Sequence, residues 1–325
     1  MNSTFPLISV ALFRAALLCG ALSACGGGAE APTPVNPPAP PPVVAPPAPA
    51  PAPVLAYLLR SDKVEVCQVD SDDFLSNCVD DGGLSGFQNL YAIAVAGSHA
   101  YVLSSPDAAP SSVIHCSIGA TGALSGCEKT GPTNLGAAYG LSIHGSTLYI
   151  GDSDSPMVRN CAIEPEGSLG TCSDSRFPDG LAFDVEDLRI VGTTAYVLHH
   201  GQSKLSRCEV LADGTLDGCI ETAVPGGLIF PEAFAINGNY MYFANSGADK
   251  VIRCVIAGDG SLADCVNANA PGLLSPSQVA IRGSTVYISD FEVEGLTRCS
   301  AGSDGLLIGC TLMPGSAVYS IAIRP

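Results

Sequence analysis

The sequence predicts an all-β protein: a six-bladed β-propeller with one disulfide inside each blade and a ring closed by the C-terminal strand joining blade one. Three observations carry this expectation. Twelve of the fourteen cysteines form six pairs with ten residues between partners: Cys67/Cys78, Cys116/Cys127, Cys161/Cys172, Cys208/Cys219, Cys254/Cys265 and Cys299/Cys310. The pairs recur every 45 to 49 residues. Each copy also carries four short strand-like segments, which is the arithmetic of a propeller blade.

The fifth copy shows the unit most clearly. Its segments are Ala233–Gly238, Tyr240–Ala244, Lys250–Ile256 and Ser261–Val266. In the sixth they are Val279–Gly283, Val286–Ser289, Gly295–Cys299 and Leu306–Cys310. The first is apolar, the second is centred on Tyr, and the last two each hold one cysteine. The period and the lack of 3.6-residue apolar spacing exclude leucine-rich and helical repeats.

The cysteine spacing has a geometric meaning. Midway between partners lie Gly122, Gly167, Gly214, Gly260 and Gly305, with Asp72–Asp73 in the first copy. These residue types tolerate positive φ and suit a hairpin corner. A symmetric hairpin about that corner sets the cysteines opposite each other on neighbouring strands, within disulfide reach. Each bridge is therefore expected within its own blade, against the alternatives of bridges between blades or reduced core thiols. Zinc is a poorer fit, because its ligand pairs sit two to four residues apart.

The ends of the repeat predict ring closure. Val318–Arg324 reads as a first strand, whereas the first copy begins at Leu55–Leu59, which reads as a second. The C-terminal segment is expected to supply the missing inner strand of blade one, leaving no open edge.

Three regions follow: a signal peptide over 1–24, a lipid anchor and Pro-rich linker over 25–54, and the propeller over 55–325. Ala15–Leu22 is a short apolar stretch behind Arg14, and Leu22–Cys25 follows it. That tetrapeptide resembles the lipobox of bacterial lipoproteins, which implies an acylated Cys25 and attachment to a membrane. Gly26 after the cysteine implies, in that family, sorting to the outer membrane, facing the periplasm or the cell surface. From Pro32 to Pro53 twelve residues are proline, and such a chain favours extended polyproline II, a stalk of ~70 Å at about 3.1 Å per residue.

Charge narrows the partners. The chain has a formal net charge of −17, and loss of Arg14 with the signal leaves 13 basic against 31 acidic residues, or −18. Nucleic acid is disfavoured as a partner, and so is electrostatic docking on anionic lipid. Removal of Cys19 and acylation of Cys25 leave an even set of twelve cysteines, as an oxidising compartment requires. The propeller is expected to be monomeric.

Tyr242–Val251, with Tyr287–Asp290 and Tyr149–Asp152 as poorer copies, resembles the Tyr-Val-Thr-Asn and NHL classes of propeller repeat. The resemblance implies the propeller fold, which hosts lactonases, lyases, dehydrogenases and pure binding modules. Paired blade cysteines depart from the usual pattern of those repeats.

In such a fold the inner-strand starts and second-strand ends ring one mouth of the central channel. In register, the starts are Tyr91, Tyr139, Glu186, Glu232, Ser277 and Tyr319. The second-strand ends add Asp62, Ser105, Asp152, Asp154, His199, His200, Asn245 and Asp290. The candidate ligand-binding residues are Glu186, Asp187, Arg189, Glu232, Asn245, His199, Asp152, Asp290 and Tyr139. Oxygen donors of this kind suit a hard cation, so Ca²⁺ is the cofactor to test, with Glu186, Asp187, Glu232 and Asn245 as first ligands. Adjacent residues on a strand face opposite ways, so at most one of His199 and His200 can face the channel.

Two functions fit. The first is an outer-membrane binding or scaffold propeller that presents its mouth to a protein or glycan. The second is a divalent-cation-dependent lactonase-like, esterase-like or lyase enzyme. A role in envelope assembly is compatible with the same features. No nucleophile elbow, zincin motif or phosphate-binding loop is present, which leaves serine hydrolases, zincins and nucleotide enzymes without a foothold.

Overall fold

Among the described residues of the computed structural model, twenty-four strands form six antiparallel four-stranded sheets. The structure describes residues 53–106, 110–155, 157–178 and 184–324. The signal, Cys25 and nearly all of the Pro-rich linker lie outside them. Blades two to six run in sequence order, spanning 90–135, 138–176, 185–222, 231–267 and 276–313. Blade one holds Val54–Leu59, Val64–Val69 and Leu75–Asp80, and its inner strand is Ser320–Arg324.

Ring closure follows the expected scheme. Ser320–Arg324 pairs antiparallel with Val54–Leu59, matching Leu55 to Arg324 and Leu59 to Ser320. Tyr319 N–H donates to Leu59 O at 2.9 Å, and Arg60 reaches Ala317 O at 2.7 Å. Both ends of the propeller are thereby fixed in one sheet.

Period-two alternation decides where the core lies. In the second strand of blade one, Leu55, Tyr57 and Leu59 face blade two, while Ala56 and Leu58 face blade six. Six apolar clusters result, one at each seam between neighbouring blades. Fully burying one Leu, Ile, Val or Phe contributes about 1.5–3 kcal/mol, so each blade is stabilised chiefly by its two neighbours.

All six bridges form within blades: Cys67–Cys78, Cys116–Cys127, Cys161–Cys172, Cys208–Cys219, Cys254–Cys265 and Cys299–Cys310, with Cα atoms 4.0 to 4.2 Å apart. The two halves of each bridge differ in burial. Cys67, Cys116, Cys161, Cys208, Cys254 and Cys299, on the third strands, are buried in the seams. On the outer strands only Cys219 is buried, whereas Cys127, Cys172, Cys265 and Cys310 are half-buried and Cys78 is exposed. A bridge therefore ties the partly solvated edge strand of its blade to a strand held in the core.

The symmetric hairpin expected from the spacing needs correction. In every blade the register slips by one residue between the bridge and the corner, on the outer strand that carries Cys78, Cys127, Cys172, Cys219, Cys265 or Cys310. In blade four Arg207 pairs with Ile220, which sets Cys208 opposite Cys219, but beyond the slip Glu209 faces Asp217. The extra residue is Gly218, at φ +57°. Asn77, Gly126, Asp264 and Gly309 hold the same place before Cys78, Cys127, Cys265 and Cys310, with φ between +48° and +60°. In blade three the slip follows the directly opposed Cys161 and Cys172 and lies between Cys161 and Ile163. A β-bulge is thus built into each hairpin, and in five of them positive φ is the reason for Gly, Asn or Asp before the second cysteine.

Candidate functional site

At the start of five inner strands the pairing register slips by one residue. In blade four Val185 pairs with His199 and Asp187 with Leu198, which leaves Glu186 as the extra residue. Tyr91, Tyr139, Glu232 and Ser277 occupy the same place in their blades. A bulge re-aims its unpaired residue, and here all five turn toward the channel. With Tyr319, just before the closing strand, they line a cavity of about 380 Å³. Because alternation is broken, the next residue also reaches the wall, as Asp187 and Gln278 do.

The carboxylates of this wall differ in what holds them. Asp187 is buried and ion-paired to Arg189 Nη1, and it accepts N–H groups from Leu188 at 2.9 Å and from Phe234 at 3.0 Å. The last bond crosses from blade four to blade five. Burial still raises the Asp187 carboxyl above its usual range, against the pull of Arg189 and the two amides. Glu232 Oε1 lies 3.2 Å from His200 Nε2. Asp184 Oδ2 is 3.9 Å from His200 Nδ1, beyond hydrogen-bond reach, and it accepts Gly201 N–H. The bond to Glu232 raises the imidazole above its ordinary value, and the charges of Glu232 and Asp184 reinforce this against partial burial.

Glu186 has no hydrogen-bond or ion-pair partner among the described residues. Burial pushes its carboxyl well above the usual range, and Glu232, Asp184 and Asp187 push the same way. Gly140 is what lets the Glu186 backbone come close, since a Cβ there would sit 3.0 Å from Glu186 O. Facing these acids is a run of rings: Tyr91 and Tyr139 have centroids 4.9 Å apart, Tyr91 and Tyr319 6.5 Å, and Phe291 and Tyr319 6.0 Å. Burial raises the Tyr139 phenol, and the neighbouring Tyr91 and Glu186 add to the effect.

Of the nine residues expected at the mouth, Glu186, Asp187, Arg189, Glu232 and Tyr139 line the cavity, and four do not. Asp152, Asn245 and Asp290 are buried at second-strand ends, where each latches its own inner-strand loop. Asp152 accepts Gly136 N–H at 2.9 Å, Asn245 accepts Ile229 N–H at 2.7 Å, and Asp290 accepts Leu274 N–H at 2.8 Å. A latch 16 residues back along the chain is a repeat feature, and the carbonyl or carboxyl oxygen it needs imitates a ligand in sequence. His199 is the fourth: it is fully buried, 2.9 Å from Ser206 Oγ, with the Phe177 ring edge-on.

The histidine facing the channel is His200, one residue beyond the strand. His200, Asp184, Gln278, Phe291, Tyr91 and Tyr319 also line the wall, and none was among the nine. The bulges could not be read from spacing, and loop residues such as Asp184 and Phe291 have no repeat register. The bridged cysteines stay clear of this cavity: Cys78, Cys127, Cys172 and Cys265 sit on outer strands and their partners on third strands, and none lines the wall. The calcium set does not assemble, because Asn245 and Asp187 are engaged as described. Among the described residues no group of three or more His, Cys, Asp or Glu has metal-holding geometry.

No protein-family model matches the sequence, and no curated protein matches it. Solved structures do match. One in a nidogen/laminin complex has 13% identity and a TM-score of 0.65, over 84% of this chain and 98% of the other. A putative 6-phosphogluconolactonase from Bacteroides fragilis has 13% identity and a TM-score of 0.64, over 86% and 100%. Periplasmic gluconolactonase from Pseudomonas aeruginosa has 13% identity and a TM-score of 0.59, over 81% and 84%. At such identities the likeness is one of fold alone.

Proposed function

We propose that this protein is an acid–base enzyme that opens a small ester or lactone in the channel mouth, with His200 as the base. The observation carrying this reading is the His200–Glu232 pair on the cavity wall. Glu232 orients the imidazole through Nε2 and stabilises its protonated form, while Nδ1 keeps no hydrogen bond. As water adds to the acyl carbon its proton passes to His200. As the carbon–oxygen bond of the leaving alcohol breaks, His200 returns that proton to the departing oxygen. The gluconolactonase-type neighbours favour an ester or lactone over other carbon–oxygen bonds.

Purified protein assayed against aldonolactones and simple aryl esters tests this. Turnover is expected, with His200→Asn lowering kcat/KM by about 10²–10⁴ at unchanged fold. Because the base must be unprotonated, kcat/KM should rise with pH through a value above that of ordinary histidine. Absence of turnover across the panel, or full activity in the variant, overturns the reading.

A second reading is capture of a protein or glycan without turnover. It is favoured by Ile229, Phe230, Leu274 and Phe291, large apolar side chains exposed on the mouth face. In either case we propose tethering to the outer membrane through an acylated Cys25. Incorporation of a labelled fatty acid, lost in Cys25→Ser, tests the anchor. Among the described residues no helix is long and apolar enough to cross a membrane.

A further inference from the structure

We propose that the mouth selects an organic cation, a protonated amine or quaternary ammonium group, seated between the Glu186 carboxylate and the wall of Tyr91, Tyr139 and Tyr319. This rests on reading the mouth as the functional site and names the class of molecule it admits. It does not depend on turnover.

Charge is the first argument. The wall carries four carboxylates, Asp184, Glu186, Asp187 and Glu232, against Arg189 and His200. Both cationic side chains are engaged, Arg189 with Asp187 and His200 with Glu232. An anionic ligand would find only occupied cations and a surplus of negative charge. A phosphorylated sugar lactone is therefore a poor fit, despite the likeness to 6-phosphogluconolactonase-type propellers.

Glu186 supplies the second argument. A half-buried carboxyl on the cavity wall, without a partner among the described residues, is a group waiting for a counter-charge. A metal ion would need further donors in ligating geometry, and no such group exists among the described residues. An organic cation needs one carboxylate and weakly polar walls.

Aromatic geometry is the third. Ring faces carry negative electrostatic potential and attract cations, most strongly where water is excluded. Tyr139, Tyr91 and Tyr319 form a continuous run of edge-packed rings that Phe291 extends to the rim. A cavity of about 380 Å³ accommodates a ligand of metabolite size.

The test is calorimetric titration of the intact protein with choline, with benzylamine, and with 3,3-dimethylbutan-1-ol, the uncharged carbon analogue of choline. At least one cation should bind about tenfold or more tightly than the neutral analogue, and Glu186→Gln should remove that preference. Titratable groups facing Glu186 are Glu232, Asp184, Asp187, His200 and Tyr139. A bound cation favours the ionised Glu186 carboxyl, so binding should release a proton, visible as a buffer-dependent heat that is lost in Glu186→Gln. Equal affinity for the neutral analogue, binding of neither cation, or displacement of a bound cation by equimolar Ca²⁺ would each overturn the proposal. Turnover without cation binding removes only this inference, whereas cation binding without turnover removes only the enzymatic reading.

Discussion

The Tyr287 hydroxyl donates to the Asp73 carbonyl at 2.7 Å, tying blade six to the hairpin corner of blade one. The same bond recurs at every seam. Tyr57, Tyr101, Tyr149, Tyr196 and Tyr242 donate to Gly122, Gly167, Gly214, Gly260 and Gly305 of the following blade, at 2.7 to 3.0 Å. The central Tyr of each second strand thus reads the corner that the next disulfide stands behind. Gly122 shows why the corner is glycine: at φ +91°, a Cβ would lie 2.3 Å from Leu55 Cδ1.

Asp73 departs from the pattern and gains from it. Its carboxylate pairs with Arg282 and accepts from Thr285 Oγ1 at 2.6 Å, while its carbonyl also takes Arg298 Nε–H at 3.1 Å. The corner of blade one is therefore held by four side chains of blade six, Arg282, Thr285, Tyr287 and Arg298. Asp73→Gly restores the corner of the other blades but loses two contacts, and should cost about 1–2 kcal/mol by denaturant titration. Tyr242→Phe, which removes one bond, should cost about 1 kcal/mol.

The phenols of the belt give it a pH limit. Burial lifts Tyr101, Tyr242 and Tyr287 to about 12. A group whose folded value is raised contributes stability present below its unfolded value of about 10 and lost as pH rises through its folded one. Thermal melts should show stability falling steadily from about pH 10 to about pH 12, and a belt variant such as Tyr242→Phe should fall less steeply.

Glu186 gives the opposite lesson on design. Its raised carboxyl binds a proton more readily in the folded than in the unfolded state. Its contribution is present below the ordinary glutamate value and is lost as pH rises through the raised one. Glu186→Gln should therefore raise Tm at about pH 7–8, with the gain vanishing below about pH 4. An equal gain at both pH values would mean that charge is not the cause. A stabilising substitution at a group without a partner among the described residues marks a residue kept for function.

Deleting the closing strand should be severe. A chain ending at Gly315 lacks the strand that pairs with Val54–Leu59 and the side chains of Val318 and Ile321 in the seam between blades six and one. Loss of cooperative unfolding is expected, and an unchanged melt would refute closure through this strand.

The bridges act locally. Each closes a loop between residues 11 apart, which by chain entropy contributes about 2–3 kcal/mol. Cys254→Ser/Cys265→Ser should lower stability by that amount and leave the other five bridges intact in non-reduced mass mapping. Six seams share the core, so the loss is expected to be tolerated at about 25 °C.

The fold was readable because it is written in the repeat. Spacing of cysteines, the corner glycines and the end strands each constrain one local hairpin or one pairing, and six copies make the signal unambiguous. Even there the spacing hid a detail: the bulge beside Cys78, Cys127, Cys172 and Cys265 leaves partner spacing unchanged while shifting the corner. The site was half readable for a different reason. Glu186, Asp187, Arg189, Glu232 and Tyr139 stand in or beside register positions and line the cavity. Asp152, Asn245 and Asp290 stand in register too, but a residue that latches a backbone amide looks the same in sequence as one that meets a ligand.

By itself, then, the sequence determined six blades, their bridges and their closure, because blades and bridges depend on near neighbours along the chain and closure on the matching of its two ends. Only the tertiary structure decided which side chains meet. It placed bulges at five inner-strand starts, buried His199 while setting His200 on the cavity wall, and left Glu186 without a partner among the described residues, opposite a row of tyrosines. Those outcomes depend on six blades converging on one axis, where residues far apart in the chain set each other's charge and solvent access.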